Sequence, residues 1–444
     1  MSKELDKILI SASQPDFNKR LEKLREKKAP AGRFAGYDSE GSIEVLKIVR
    51  KVSDGGDEAV AEFTEKFDGV KLTFQDFRIS VQELENAHSE IEKNKPELLA
   101  SIRQAIENVK KYQTEIFIGS NKSCSGGTGI KYTPIKRVGI CVPGASAPLP
   151  STVIMTAVPA QVAGVKEIVL VSPPRYNGSI HPVTLAVCFE LGIDEVYRIG
   201  GAQAIAALAC DKGSIPMVDK IVGPGNQWVQ TAKKMVSNDY VGIDSIMGPS
   251  EVLIIANDKA NPAWVAADML SQAEHASDSS AIVLTNSETI ATKILEELKN
   301  QIGKLSRANE AKKSLLGFGA IIALNDITEV INLANDLAAE HLQIQCGGQS
   351  RKIADKIENA GAIFIGEYSP VAVGDYWAGP SHTLPTEMRA KFSSALTSND
   401  FIKSTSIIEY DKKKLTESSE DIIRLAQAEG LDAHAKSIKI RQQD

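Results

Sequence analysis

From Arg137 onwards the chain alternates short apolar runs with helical stretches, and most of the runs end in glycine- or proline-rich turns. Residues 138–142, 167–171, 195–199 and 220–222 read as strands, with helices predicted over 152–163, 181–191, 203–210 and 226–236. The rhythm repeats, with strands at 252–256, 281–284, 319–324, 342–345 and 362–365. Within this second block Asn261 and Pro262 mark the N-cap and first turn of a helix reaching His275, and Asp326 caps another running to about Glu340. Parallel neighbours need a crossover of a dozen or more residues, so this spacing predicts βαβ units. The fold class is α/β, with two incomplete Rossmann-like lobes of parallel sheet. Upstream, 42–67 and 82–117 read as helices around a short strand at 78–81.

A chain of 444 residues exceeds one ordinary core. The expected organisation is a helical, charged arm over 1–38, ending near Pro30, Gly32 and Gly36. A first α/β lobe takes 39–137 plus 251–385, and a second lobe with cofactor-type turns takes 138–250. The remainder, 386–444, is too small for its own core and should dock on another body, such as a second subunit.

Composition narrows the function. A net charge of −6 argues against a nucleic-acid protein, and the basic run 19–28 alternates with Glu and Leu as a solvated helix face does. No apolar stretch approaches the ~20 residues needed to span a bilayer, and the N-terminus has no signal-type apolar region, so the cytoplasm is the expected location. The cysteines 124, 141, 188, 210 and 346 form no Cys-x-x-Cys pair. A bound metal would therefore rely mainly on His, carboxylate and amide ligands.

Four of the six histidines stand in polar motifs. Gln272 and His275 lie three apart on a predicted helix and should share a face, which suits a metal pair or a hydrogen-bonded helix-end histidine. Glu340 and His341, at a helix-to-strand turn, suit acid–base work or a favourable helix dipole. Asp375 and His382 share a Gly/Pro/aromatic loop without helix or strand periodicity, the kind of segment held for function. Glu429 and His434 lie near the C-terminus, where solvated charge is the ordinary explanation. His88 and His181 stand in plain text. The turns at Pro143-Gly144, Gly200-Gly201 and Gly223-Pro-Gly-Asn226 follow strands and open helices. Such turns suit phosphate binding, or are tight βα turns that need glycine; the Gly-x-Gly-x-x-Gly fingerprint is absent.

The strings Val142-Pro-Gly-Ala-Ser-Ala-Pro-Leu-Pro-Ser-Thr, Gly200-Gly-Ala-Gln-Ala-Ile-Ala-Ala-Leu, Lys220-Ile-Val-Gly-Pro-Gly-Asn, Gly248-Pro-Ser-Glu-Val-Leu, Leu270-Ser-Gln-Ala-Glu-His, Ala339-Glu-His-Leu, Gly374-Asp-Tyr-Trp-Ala-Gly-Pro-Ser-His-Thr-Leu-Pro and Ala428-Glu-Gly-Leu-Asp-Ala-His follow one another in order. Together they resemble the histidinol dehydrogenase family from about residue 40 to 440. The resemblance implies an aldehyde-dehydrogenase-like architecture and a homodimer whose C-terminal segment crosses to the partner. It implies one zinc ion per subunit, held by Gln272, His275, Asp375 and His434. Those four and Ser250, His341, His382 and Glu429 would meet the substrate, L-histidinol. Glu340 and His341 would be the catalytic acid–base pair, and Cys141, Gln203 and Asn226 would stand at NAD contacts. Cys141 replaces a frequent Tyr, and Ser381 a frequent Asn. The implied reaction is the NAD-dependent oxidation of L-histidinol through L-histidinal to L-histidine. The alternatives are a sulfopropanediol-type or other alcohol dehydrogenase on the same scaffold, a cysteine-nucleophile aldehyde dehydrogenase using Cys141 or Cys124, and a non-catalytic binding lobe.

Overall fold

The computed structural model describes residues 2–28, 39–124, 126–144, 148–237 and 239–442. In its larger unit, 1–117 plus 136–401, two six-stranded sheets dominate. The first runs Leu9–Ser11, Ala320–Ala323, Ser280–Thr285, Glu251–Ala256, His341–Gln345, Ala362–Ile365, with every pairing parallel. The second runs Arg78–Ile79, Glu195–Tyr197, Glu167–Val171, Arg137–Cys141, Lys220–Val222, Gly242–Ile243. Its pairings are parallel except at the Arg78–Ile79 edge.

The two sheets share one plan. After an edge strand laid down first, Leu9–Ser11 or Arg78–Ile79, each begins at a central strand, steps outwards twice towards that edge, then crosses to the other side for two more strands. The reversal places a switch point beside Arg137–Cys141 in one sheet and beside Glu251–Ala256 in the other, where crevices open outside the strand ends. Helices cover both faces, so the inner strands are apolar without alternation. Arg137–Cys141 and Ser280–Thr285 are buried at every residue. The α/β expectation with two parallel lobes holds.

The expected boundaries need correction. The N-terminal residues are part of the first sheet: Leu9–Ser11 is its edge strand, and Leu21 and Leu24 of helix Phe17–Lys28 join Ile322 and Leu342 in its core. Pro30, Gly32 and Gly36 lie outside the described residues. Residues 39–117 pack chiefly with 138–250, and touch 251–385 where Asn108 Nδ2 donates to the Trp377 carbonyl oxygen at 3.1 Å. Val45, Val52 and Val60 of helix Glu40–Asp68 share a core with Ile205 and Val229, and helix Val81–Asn94 packs on helix Pro182–Glu190. An amphipathic pattern says which face is buried but not against which sheet. Helix Glu40–Asp68 also breaks at Gly56, where φ is 56° and a Cβ would meet the Lys212 carbonyl oxygen at 2.6 Å. The expected 82–117 helix is two, Val81–Asn94 and Pro96–Glu115, because Pro96 has no N–H with which to continue the first.

A smaller unit combines 118–135 with 402–444. Strands Lys122–Cys124 and Thr128–Pro134 form a hairpin, and Ile402–Ile408 pairs antiparallel with its second arm. Helices Lys412–Ala428 and Asp432–Ile440 follow and pack on each other. Few of this unit's residues are buried, and Ile408, Leu425 and Ile440 are exposed. The segment therefore begins at 402, not 386, and recruits a hairpin from far upstream. Residues 386–401 stay with the larger unit: Phe401 is fully buried, and the Ser398 amide donates to Gln113 Oε1 at 2.8 Å. No helix among the described residues is long and apolar enough to cross a membrane.

Candidate active site

The carboxyl ends of the second sheet open onto a cleft of about 830 Å³. Cys141, Gln203 and Asn226, all expected to meet a cofactor, line it together. Gln203 is fully buried, and neither its amide oxygen nor its amide nitrogen has a hydrogen-bond partner. Such a group is normally satisfied, so a ligand is the economical partner. Asn226 caps helix Gln227–Val236: its Oδ1 accepts the Trp228 and Val229 N–H groups at 3.1 and 3.2 Å, leaving its NH₂ to donate. Cys141 ends its strand buried, and that burial pushes the thiol up to about 12. It is a protonated wall, not a nucleophile. Sequence reasoning missed the opposite wall, where helix Glu40–Asp68 contributes Lys47, Phe63 and Phe67.

A second cavity, about 330 Å³, is lined by His341, Asp375 and His382 with Phe364, Ser381 and other residues. Glu340 and His341 do not close a helix. Helix Ile327–Leu337 stops earlier, Ala338 turns the chain at φ 42°, and His341 opens its strand. The helix-dipole explanation therefore lapses, and both side chains are buried. His341 Nδ1 donates to the Glu251 carbonyl oxygen at 3.0 Å. A carbonyl can only accept, so the neutral ring keeps its lone pair on Nε2. Nε2 has no hydrogen-bond partner and sits 3.5 Å from Asp375 Oδ1. Glu340 Oε2 lies 3.4 Å from His341 Nδ1 and accepts the Glu251 N–H at 2.7 Å. His382 Nδ1 donates to the Asp375 carbonyl oxygen at 3.2 Å, and its Nε2 stands 3.5 Å from Thr152 Oγ1. Asp375 itself sits on a short helix, Val371–Tyr376, where a loop was expected.

Burial alone would suppress charge on His341, but Glu340 and then Asp375 outweigh it and raise the proton affinity well above the ordinary range. Burial lowers that of His382, with Asp375 opposing. Burial also disfavours charge on Asp375, yet His341 holds its carboxyl below the usual range. Two contributors were not anticipated, Thr152 and Glu251. Glu251 had a signal, since it directly follows Gly248-Pro-Ser.

The family model for histidinol dehydrogenase matches residues 35–442. The chain belongs to the histidinol dehydrogenase family. Similar relatives include the histidinol dehydrogenase of Oceanobacillus iheyensis, 47% identical over 405 residues, covering 90% of this chain and 93% of that one. That of Rhodopirellula baltica is 43% identical over 437 residues, covering 95% and 94%. The crystal structure of histidinol dehydrogenase from Elizabethkingia anophelis is similar throughout, with a TM-score of 0.89, 36% identity and 98% coverage of both chains. Membership makes the chain an oxidoreductase of histidine biosynthesis.

The other residues that the resemblance to histidinol dehydrogenases singles out are dispersed. Gln272 lies in the last turn of helix Pro262–Ala273 and is buried, whereas His275 falls beyond the helix end and is exposed, so they do not share a helix face. His275 Nδ1 donates to the Ser271 carbonyl oxygen at 2.9 Å, which leaves Nε2 as its lone pair. His275 is close enough to Asp375 to act on its charge. The Ser250 carbonyl oxygen accepts the Ser280 N–H at 2.9 Å. Glu429 and His434 lie in the smaller unit, exposed, around the turn between its two helices. Among the described residues no group of three or more His, Cys, Asp or Glu could by itself hold a metal ion.

Proposed function

We propose that this chain oxidises L-histidinol through L-histidinal to L-histidine, with NAD as cofactor and one zinc ion per subunit, as a homodimer. The observation that carries the reading is the meeting of His341, Asp375 and His382 around one small cavity, with buried Glu340 beside His341. It joins two proton-handling groups to polar anchors, which is what stepwise oxidation of an alcohol needs.

The chain's residues fit both groups. The unpartnered Gln203 amide and the Asn226 NH₂ face a cleft of a size that takes a dinucleotide. NAD, when bound there, accepts hydride in each oxidation. For zinc, Asp375 supplies a carboxylate, Gln272 an amide and His275 an Nε2 lone pair already set by its Nδ1 bond. These are nitrogen and oxygen donors of the kind zinc takes, and the second subunit's C-terminal segment would add its own copy of residue 434. Zinc held there would supply a positive charge that orients the substrate and offsets the charge of Asp375.

In its neutral form His341 takes the hydroxyl proton at Nε2, and its raised proton affinity shifts that form toward alkaline pH. Glu340 keeps one carboxylate oxygen on the Glu251 amide and uses the other to activate water on the aldehyde. His382, Ser250 and Glu429 contact substrate. The protonated Cys141 thiol argues against a cysteine-nucleophile route. The test is NADH production from L-histidinol and NAD, with chelator and then with zinc restored. Two NADH per histidinol, lost on chelation and regained with zinc, is the expected result. No NADH, or NADH indifferent to chelation, would overturn the reading.

A further inference from the structure

Behind the Gly223–Asn226 turn lies an ion pair that the chemistry above does not use. Lys233 is fully buried, and its Nζ is 2.5 Å from Oδ1 of Asp244, whose side chain is 4% exposed. The pair holds both backbone polar groups of one residue. The Gly223 N–H donates to Asp244 Oδ2 at 2.7 Å, and the Gly223 carbonyl oxygen accepts from Lys233 Nζ at 2.9 Å. Gly223 has φ +110°, and a Cβ there would stand 2.3 Å from the Cys141 carbonyl oxygen, so the turn lies hard against the central strand. The three residues after Gly223 include two cleft-lining neighbours of Asn226, Pro224 and Gly225.

Burying two charges is costly, and a well-packed apolar pair often serves stability as well or better. The other lobe shows that the strand plan does not require it. Cys346 follows strand His341–Gln345 in the same place of the same strand order as Gly223. There the N–H donates to Ser350 Oγ at 2.9 Å and the carbonyl oxygen accepts from Asn257 Nδ2 at 3.3 Å. Two neutral side chains do in that lobe what a buried ion pair does in this one. The charged version stands in the lobe that carries the 830 Å³ cleft.

We propose that Lys233 and Asp244 are positioning residues for the dinucleotide. The pair locks the Gly223–Asn226 turn in its binding conformation before the cofactor arrives, so that binding has no backbone to order there. This rests on the NAD reading above. A single Lys233→Met change strands a buried carboxylate, so the informative variant is Lys233→Met/Asp244→Leu, which removes both charges. It is compared with the wild-type holoenzyme by thermal melting, calorimetric titration with NAD, steady-state kinetics and amide exchange at 223–226.

The double variant is expected to melt within a few degrees of wild type. It should bind NAD about tenfold or more weakly, exchange faster at the turn, and keep kcat at saturating NAD within about threefold. If it does not accumulate folded, Lys233→Gln/Asp244→Asn carries the same readouts, since it also removes both charges while keeping a neutral donor and acceptor for Gly223. Unchanged NAD affinity, or weakened affinity with unchanged exchange at the turn, overturns the proposal alone. A wild-type enzyme that binds no NAD overturns the cofactor reading and this inference with it.

Discussion

His341 presents Nε2 to Asp375, 3.5 Å from Oδ1, while its Nδ1–H is tied to a backbone carbonyl. The same device recurs at His275 and His382, whose Nδ1 atoms donate to the carbonyls of Ser271 and Asp375. A carbonyl oxygen cannot donate, so each neutral ring has its tautomer fixed by the main chain. Three imidazoles thus offer Nε2 as the working atom, and at His341 the Glu340 carboxylate also stands 3.4 Å from Nδ1.

Replacing His341 with Gln removes that working atom but keeps a polar side chain. We expect kcat for L-histidinol oxidation to fall about 100- to 10,000-fold, with a circular-dichroism spectrum like that of wild type. Stopped-flow measurement of the first hydride transfer checks it. A loss of less than about tenfold would remove His341 from proton transfer.

Glu340→Gln should slow oxidation of L-histidinal more than oxidation of L-histidinol, because its carboxylate is assigned to water activation in the second half only. The half-reactions are measured separately by supplying each substrate. Equal losses in both would sink the assignment.

A shared zinc site makes a prediction about mixtures. His275→Ala and His434→Ala homodimers should each be inactive. Co-refolded in equal amounts, they should recover about a quarter of wild-type activity, because half the dimers are mixed and each mixed dimer has one intact site. If both ligands came from one chain, no activity would return.

Asp268 accepts a hydrogen bond from Gln345 Nε2 at 2.6 Å, yet burial raises its carboxyl from 3.8 to about 6. The folded state therefore holds this proton more tightly than the unfolded chain. Stability from this group falls as pH rises from about 4 to about 6 and stays lower above that. Asp268→Asn should be near neutral at about pH 4 and stabilising by roughly 1–2 kcal/mol at about pH 8. Denaturant melts at both pH values decide it, and the same effect at each would contradict the buried-carboxyl account.

Much of this was legible because parallel strands buried on both faces write themselves as apolar runs, and because chemistry clusters in short strings after strands. What was not legible depends on partners distant in sequence. Helix Glu40–Asp68 announces an apolar face, but only folding shows that Phe63 and Phe67 wall the cleft. Glu340 and His341 were read as a helix end because the apolar period runs on past Leu337, whereas a left-handed Ala338 breaks it. The grip of Lys233 and Asp244 on Gly223 joins a mid-helix lysine to a loop carboxylate, and neither residue type in those settings signals burial.

The 830 Å³ cleft and the 330 Å³ cavity have no lining residue in common. For a two-step oxidation this separation matters in time as well as in space. Reduced dinucleotide must leave and a fresh one arrive midway, when the intermediate is a reactive aldehyde. Under the proposed reaction, separate walls let the dinucleotide exchange while His341, Asp375 and His382 still hold the aldehyde, and only the cofactor's reactive end has to reach them for each hydride transfer.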